Sequence, residues 1–295
     1  MAELIQVSDE VATALEEGLP VVALESTLVA HGFPAREGVA VGLESERQVR
    51  NAGAVPATVG VLDGAIRVGL SEDELARFTP AARKLGPRDL AACAVQGAVG
   101  ATTVGGTLAV VRSLGIRFLG TGGLGGVHRG FPSPPDVSAD LGELARTPTV
   151  VVASGVKSLL DVPATAELLE TLGIPVLGWR TDELPLFYNA QGGPPVSARV
   201  ETIDEAAAIA AAHWQLGRAA LLLGNPPPES IDVEPLIEAG VAEAARRGVT
   251  GQAVTPFVLS YLHDSSGGET LRVNRALIAA NAGLAARIAV SHAAR

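Results

Sequence analysis

Six short, almost unbroken apolar runs punctuate this chain: Val21–Glu25, Ala57–Leu62, Ile116–Thr121, Thr149–Ser154, Pro175–Gly178 and Ala219–Leu223. A strand with one face in water alternates apolar and polar residues, whereas a strand covered on both faces reads as apolar throughout. Longer stretches with apolar residues at helical spacing separate the runs. The pattern predicts an α/β fold, a three-layer α/β/α sandwich around a mixed, mostly parallel sheet. Ser71 with Glu74 and Thr202 with Glu205 have the spacing of capping boxes at helix starts. Helices are expected over Ser158–Leu172, stopped by Gly173, and over Glu269–Ala294, which carries Leu271, Leu277, Ile278, Leu284 and Ile288. No fixed-period repeat or long linker is visible. Asn189–Pro195 is the best boundary candidate, and residues 1–295 read as a single domain.

Aromatic residues are only 3% of the chain against 47% apolar, so Ala, Val, Leu and Ile must fill the core. The net charge of −10 argues against general nucleic-acid binding, which needs a basic surface. It leaves room for a locally positive pocket holding a small phosphate. Cys93, the single cysteine, cannot form an intrachain disulfide and reads as a small buried apolar residue. The acidic start MAELIQVSDE lacks a signal pattern, and no apolar run reaches the roughly 18 residues of a membrane span. These features point to a soluble cytoplasmic protein without membrane or nucleic-acid partners.

Gly120, Gly122 and Gly125 satisfy G-x-G-x-x-G after an apolar strand. A dinucleotide fingerprint needs a helix directly after it, and Pro132, Pro134 and Pro135 forbid one here. The glycines suit a tight turn or an anion approached by backbone N–H groups. His128 and Arg129 at its end either face a phosphate or form a solvated pair. Lys157 follows a buried strand and is the one charged residue between Val150 and Leu160. Chemistry in α/β folds gathers at such strand ends. A desolvated lysine loses its proton more readily and can attack a carbonyl as a neutral amine. The alternative is a lysine whose head snorkels to water. Glu25 ends another strand, placed for acid–base work or for a polar helix start.

Asp136, Ser138 and Asp140 alternate, which would put them on one side of an extended segment able to hold Mg²⁺ or Mn²⁺. The competing reading is a cap on a helix over Ala139–Arg146. Lys84 and Arg88 form a basic cluster suited to phosphate or to solvent. Asn274 and Asn281 lie two turns apart on the last helix and invite hydrogen bonding or interhelix contacts. His213, in an alanine-rich helix, reads as packing or surface.

Together the blocks ALESTLVAHGFP, KLGPRDL, GATTVGGTL, GTGGLGGVHRG, DVSADLGEL, SGVKSLLD and TPFVLSYL resemble, in order, the pseudouridine-5'-phosphate glycosidases, also called the indigoidine synthase A-like family. The resemblance covers roughly Leu19 to Ala289. It departs at Pro87, where a second basic residue is usual, at the glycines of GATTVGGTL, and at Val137 in place of isoleucine. The resemblance implies a lyase or hydrolase that reversibly cleaves the C–C glycosidic bond of pseudouridine 5'-phosphate to uracil and ribose 5-phosphate. By that match Lys157 is the Schiff-base nucleophile and Glu25 the proton donor. Asp136 is the Mn²⁺ ligand, with Mg²⁺ as the other candidate, and no organic cofactor is needed. Lys84, Val104, His128, Ser138, Ala139, Asp140 and Asn274 become substrate contacts, and the assembly a homotrimer. A Schiff-base aldolase for another sugar phosphate and a non-catalytic sugar-phosphate binder are the competing readings.

Overall fold

The computed structural model describes residues 4–132, 135–217, 219–250 and 253–295. Met1 to Glu3, which begin the acidic N-terminal stretch, and Pro134 of the proline run lie outside them. The strands are β1 (Ile5–Val7), β2 (Val21–Glu25), β3 (Val55–Leu62), β4 (Ala65–Val68), β5 (Arg83–Leu85), β6 (Gly100–Thr102), β7 (Phe118–Gly120), β8 (Val127–His128), β9 (Val150–Ala153), β10 (Leu160–Asp161), β11 (Val176–Trp179), β12 (Ala198–Val200) and β13 (Leu221–Gly224). The helices are α1 (Asp9–Glu16), α2 (Thr27–His31), α3 (Ala35–Asn51), α4 (Glu72–Leu75), α5 (Leu90–Val95), α6 (Val104–Leu114), α7 (Ala139–Leu144), α8 (Val162–Thr171), α9 (Ile203–Gln215), α10 (Glu234–Arg246), α11 (Val254–Ser265) and α12 (Glu269–Ala293).

The main sheet runs β1-β4-β3-β2-β7-β9-β13-β11-β12, with β6 on β3 and β5 on β6. Every pair from β3 through β2, β7, β9, β13 and β11 to β12 is parallel. The antiparallel pairs are β3 with β4 and β3 with β6. The expected mixed, mostly parallel sheet is therefore present.

Why the central strands carry no polar face is visible in their packing. Val22 and Leu24 of β2, Val150 and Val152 of β9, and Leu221 and Leu223 of β13 enter one core, covered by α3, α9 and the second half of α12. Their neighbours Val21, Ala23, Val151, Ala153 and Leu222 enter another, covered by α6, α7, α8, α10 and α11. Successive side chains point to opposite faces, so covering both faces requires apolar residues at every position. The first half of α12 joins that second core through Val273, Leu277 and Ile278.

All six expected strands are present, with ends shifted by a residue or two. The Ser71–Glu74 capping box forms in both directions. At Thr202 only half forms: its hydroxyl takes the Glu205 N–H, while the Glu205 carboxylate accepts from Glu201 rather than from Thr202. The helix expected from Ser158 begins at Val162 instead. Leu160 and Asp161 pair with β8, and the Asp161 carboxylate then caps the helix by accepting from Ala164 N–H. Pro163 fits that first turn, where its missing N–H costs nothing. By length and mean hydropathy α12 could cross a membrane, although no unbroken apolar run of that length stood out in the sequence. More than half of its apolar window is buried inside the fold, against α3, α9 and the central strands.

Gly155 turns the chain out of β9 with φ +79°, and a Cβ there would sit 1.7 Å from the Pro185 carbonyl oxygen. Backbone, not a flexible side chain, blocks the space. Gly155→Ala is expected to lower unfolding free energy by about 3 kcal/mol or more in denaturant titrations; native-like stability would contradict this packing.

Candidate active site

Four parallel strands deliver their carboxyl ends to one place. β2 ends at Glu25, β7 is followed by Thr121, β9 by Ser154 to Lys157, and β13 by Asn225. The Asn281 side chain on α12 ties three of these ends together. Its Nδ2 donates to the Thr121 carbonyl (2.7 Å) and to Ser154 Oγ (3.1 Å), and its Oδ1 accepts from Asn225 Nδ2 (2.9 Å). Asn281 is thus a completely buried structural tie, whereas Asn274, two turns earlier, faces a cavity.

Glu25 is 5% exposed and accepts a hydrogen bond from the Thr121 hydroxyl. Burial pushes its carboxyl pKa up, and the opposing pull of Lys157, Thr121 and Lys84 does not cancel this. A carboxyl that keeps its proton toward neutrality suits a general acid. It is not a helix cap: Ser26 precedes α2, and the Ser26 hydroxyl donates to the Val59 carbonyl. Lys157 is held by its own backbone, donating N–H to Leu124 (3.1 Å) and accepting from Leu160 (2.9 Å). Lys84 stands on β5, where burial, followed by the Lys157 charge, lowers its pKa to about 8.

Two cavities share Glu25, Thr27, Lys84 and Lys157 as common wall. The larger, about 560 Å³, is lined by polar and charged groups including Arg88, Thr103, His128, Asp136, Ser138 and Ala139. The smaller, about 50 Å³, is mostly apolar, with Leu28, Phe33, Phe187, Leu259 and Ile278, plus His31 and Asn274. Phe187 has φ +63°, an uncommon conformation for a non-glycine residue, fixed by its N–H donating to the Ser154 carbonyl. Its ring packs where a Cβ on Gly123 would otherwise lie.

Several expectations need correction. Asp140 is not on an extended segment: it lies in the first turn of α7, with Ser138 as N-cap. Its two carboxylate oxygens accept from Gly105 N–H (2.7 Å) and Gly125 N–H (2.9 Å), binding α6 to the glycine-rich loop. Asp140 therefore shapes the cavity wall through these backbone bonds. Val104 opens α6 with its side chain in the apolar core, leaving Thr103 to line the cavity. Arg129 turns away from the larger cavity to bond the Ser158 carbonyl and Glu234. Arg88 lies at the rim, 82% exposed, beside Asp89. The glycine-rich loop runs into β8 rather than a helix, and its glycines make room for α12, Phe187 and Asp140. Cys93 is buried as expected.

The carboxylates along the larger cavity are those of Glu25, Asp89, Asp136, Asp140 and Glu143. Among the described residues no three acidic, histidine or cysteine side chains gather as a metal cage. Asp136 is half-exposed toward the larger cavity, its Oδ2 3.8 Å from His128 Nδ1. Burial, then the Lys84 and Lys157 charges, lower the His128 pKa against the pull of Asp136. The Asp136 carboxylate in this roomy polar cavity fits Mg²⁺ or Mn²⁺ that keeps most of its waters. Sequence reasoning missed Thr27, His31, Thr121 and Phe187; only His31 and Thr27 had a signal, their closeness to Glu25.

Fold and site together define an α/β protein with a buried carboxyl facing two lysines at the carboxyl edge of its sheet. The chain belongs to the indigoidine synthase A-like family, whose model, described as indigoidine synthase A like protein, matches residues 10–291. It is 49% identical to a pseudouridine-5'-phosphate glycosidase of Streptomyces griseus, over 97% of this chain and 91% of that one. With the protein of the same name from Glaesserella parasuis it shares 41%, over 98% and 99%. Among solved structures it resembles the prealnumycin C-glycosynthase AlnA in complex with ribulose 5-phosphate, with a TM-score of 0.88 and 40% identity over 100% and 98% of the chains. An indigoidine synthase A-like protein from Thermotoga maritima superposes with a TM-score of 0.87 and 38% identity over 97% and 96%.

The buried Glu25 has a consequence for stability. Its folded pKa lies above the ordinary carboxylate value of 4.5, so the native state holds the proton longer than the unfolded chain. The contribution is complete below the unfolded pKa and is lost as pH rises through the folded one. Glu25→Gln should therefore be more stable than the native protein at pH 8, by about 0.5–2 kcal/mol, with the gain shrinking toward pH 4. Equal midpoints across that range in thermal scans would contradict the burial cost.

Proposed function

We propose that this protein reversibly cleaves the C–C glycosidic bond of pseudouridine 5'-phosphate to give uracil and ribose 5-phosphate. The observation that carries the reading is the meeting of the two cavities at Glu25, Lys84 and Lys157. A substrate with a sugar phosphate at one end and a planar base at the other would place its connecting bond at that junction. The names of the relatives support the substrate, and the ribulose 5-phosphate held by the AlnA structure supports a sugar phosphate in the larger cavity.

A carbon leaving group has no lone pair for an ordinary glycosidase acid to protonate, so an amine route is needed. The Lys157 amine attacks C1′ of the ribose. The C1′–O4′ bond breaks, and O4′ takes a proton from Glu25. The adduct nitrogen then gives up a proton, which restores its lone pair, and a proton is added to the uracil carbon that bears the sugar. The Lys157 nitrogen lone pair forms the C=N bond, and the electrons of the C1′–C5 bond return to the pyrimidine as uracil departs. Water hydrolyses the iminium, freeing Lys157 and ribose 5-phosphate. Lys84, charged below about pH 8, accompanies the anionic sugar at the junction. His128, Ser138 and Ala139 line the sugar-phosphate end, with Asn274 at the base end.

Asp136 would hold the divalent cation, which when bound supplies positive charge for the phosphate. The homotrimeric state and cytoplasmic setting belong to the same reading through the family resemblance. An aldolase or a passive sugar-phosphate binder has no use for the second, mostly apolar cavity beside Lys157.

The test is uracil release from pseudouridine 5'-phosphate with Mn²⁺ present. The native protein should turn over, and Lys157→Ala should lose about 10³-fold or more in kcat. Folded, metal-replete native protein that releases no uracil would overturn the assignment. A Lys157→Ala variant with native turnover would remove the nucleophile.

A further inference from the structure

Two buried polar atoms at the smaller cavity have no hydrogen-bond partner among the described residues: His31 Nε2 and Asn274 Oδ1. Leaving such an atom unsatisfied costs about 1–3 kcal/mol, so a native wall with two of them calls for a ligand that satisfies both. His31 ends α2, six residues beyond Glu25, and its imidazole makes a hydrogen bond to the Ala82 backbone. With Nε2 unpartnered, the bonded nitrogen is Nδ1, which donates to the Ala82 carbonyl and fixes the tautomer. Burial, reinforced by the Lys84 charge, keeps the ring neutral. Nε2 is then an acceptor with no proton to give, on a side chain that lines the cavity. Leu28, Phe187, Leu259 and Ile278 form the apolar part of the same wall, while Glu25, Lys84 and Lys157 lie where the cavity joins the larger one.

We infer that His31 is a specificity-determining residue for the leaving base: its Nε2 accepts a hydrogen bond from a ring N–H of the pyrimidine. The inference rests on the pseudouridine 5'-phosphate reading above. It adds a requirement that reading does not contain, a donor N–H on the base edge facing α2. A base with a methylated nitrogen there meets both a lost hydrogen bond and a steric conflict in a cavity of about 50 Å³. Such polar pockets reject analogues lacking the donor far more strongly than apolar pockets reject a change of shape.

The experiment compares kcat/KM for pseudouridine 5'-phosphate and for its N1-methyl and N3-methyl derivatives, in the native protein, His31→Ala and His31→Gln. Ribose 5-phosphate affinity by calorimetry reports on folding and on the sugar half. The native protein should disfavour one methyl derivative by at least about 100-fold. His31→Ala should lose about 10- to 100-fold on the parent substrate and little on that derivative, so the preference collapses. His31→Gln, with an amide oxygen as acceptor, should recover part of it. Ribose 5-phosphate affinity should be unchanged in both variants. An intact preference in His31→Ala, or a native protein indifferent to both methyl groups, would overturn the inference. So would a parallel loss of ribose 5-phosphate affinity, which marks a merely structural residue. A native protein that turns over none of the three substrates would instead defeat the functional reading itself.

Discussion

One buried carboxamide holds the site together. Asn281 reaches from α12 to the strand ends at Thr121, Ser154 and Asn225. The carboxyl end of a parallel strand leaves backbone and side-chain polar groups without ladder partners, and burying them unpaired is costly. A single amide with donors and an acceptor satisfies groups from three strands at once. Thr121 then supports Glu25, Ser154 accepts the Phe187 N–H through its carbonyl, and the turn at Gly155 leads to Lys157. Lys157 therefore follows a strand whose end Asn281 ties down, and Glu25, at the end of β2, is steadied at one remove through the Thr121 hydroxyl.

Within that frame, burial outweighs charge pairing. Glu25 lies among two lysines, which would ordinarily hold a carboxylate ionised. Desolvation is the larger effect, and its pKa rises. The same desolvation, with Lys157 as a like-charged neighbour, lowers Lys84 to about 8. An acid made more basic and an amine made more acidic by one dry environment are what proton transfer near neutral pH requires. The cost falls on stability.

The central sheet was legible in the sequence because burial on both faces erases alternation and leaves plain apolar runs. The strands β1, β4, β5, β6 and β12 were not, being only three or four residues long, so their pairing depends on neighbours rather than on their own pattern. Glu25 and Lys157 stood out as charges at the ends of apolar strands. Asp140 was visible as an acid but its job was not, because the Gly105 and Gly125 N–H groups reach it from distant parts of the chain. The Ser158–Leu172 helix was overextended because Leu159 and Leu160 fit a helical stripe equally well as a buried turn and a short strand. Phe187 joins the site only through tertiary packing, which no local pattern encodes, and His31 was signalled only by its closeness to Glu25.

The central claim is that Lys157, rather than the neighbouring Lys84, carries the sugar. The most direct measurement is to reduce the protein with cyanoborohydride in the presence of ribose 5-phosphate and map the modified peptide by mass spectrometry. The account predicts one stable adduct, on Lys157, lost in Lys157→Ala and retained in Glu25→Gln. An adduct on Lys84, or none on either lysine, would contradict it.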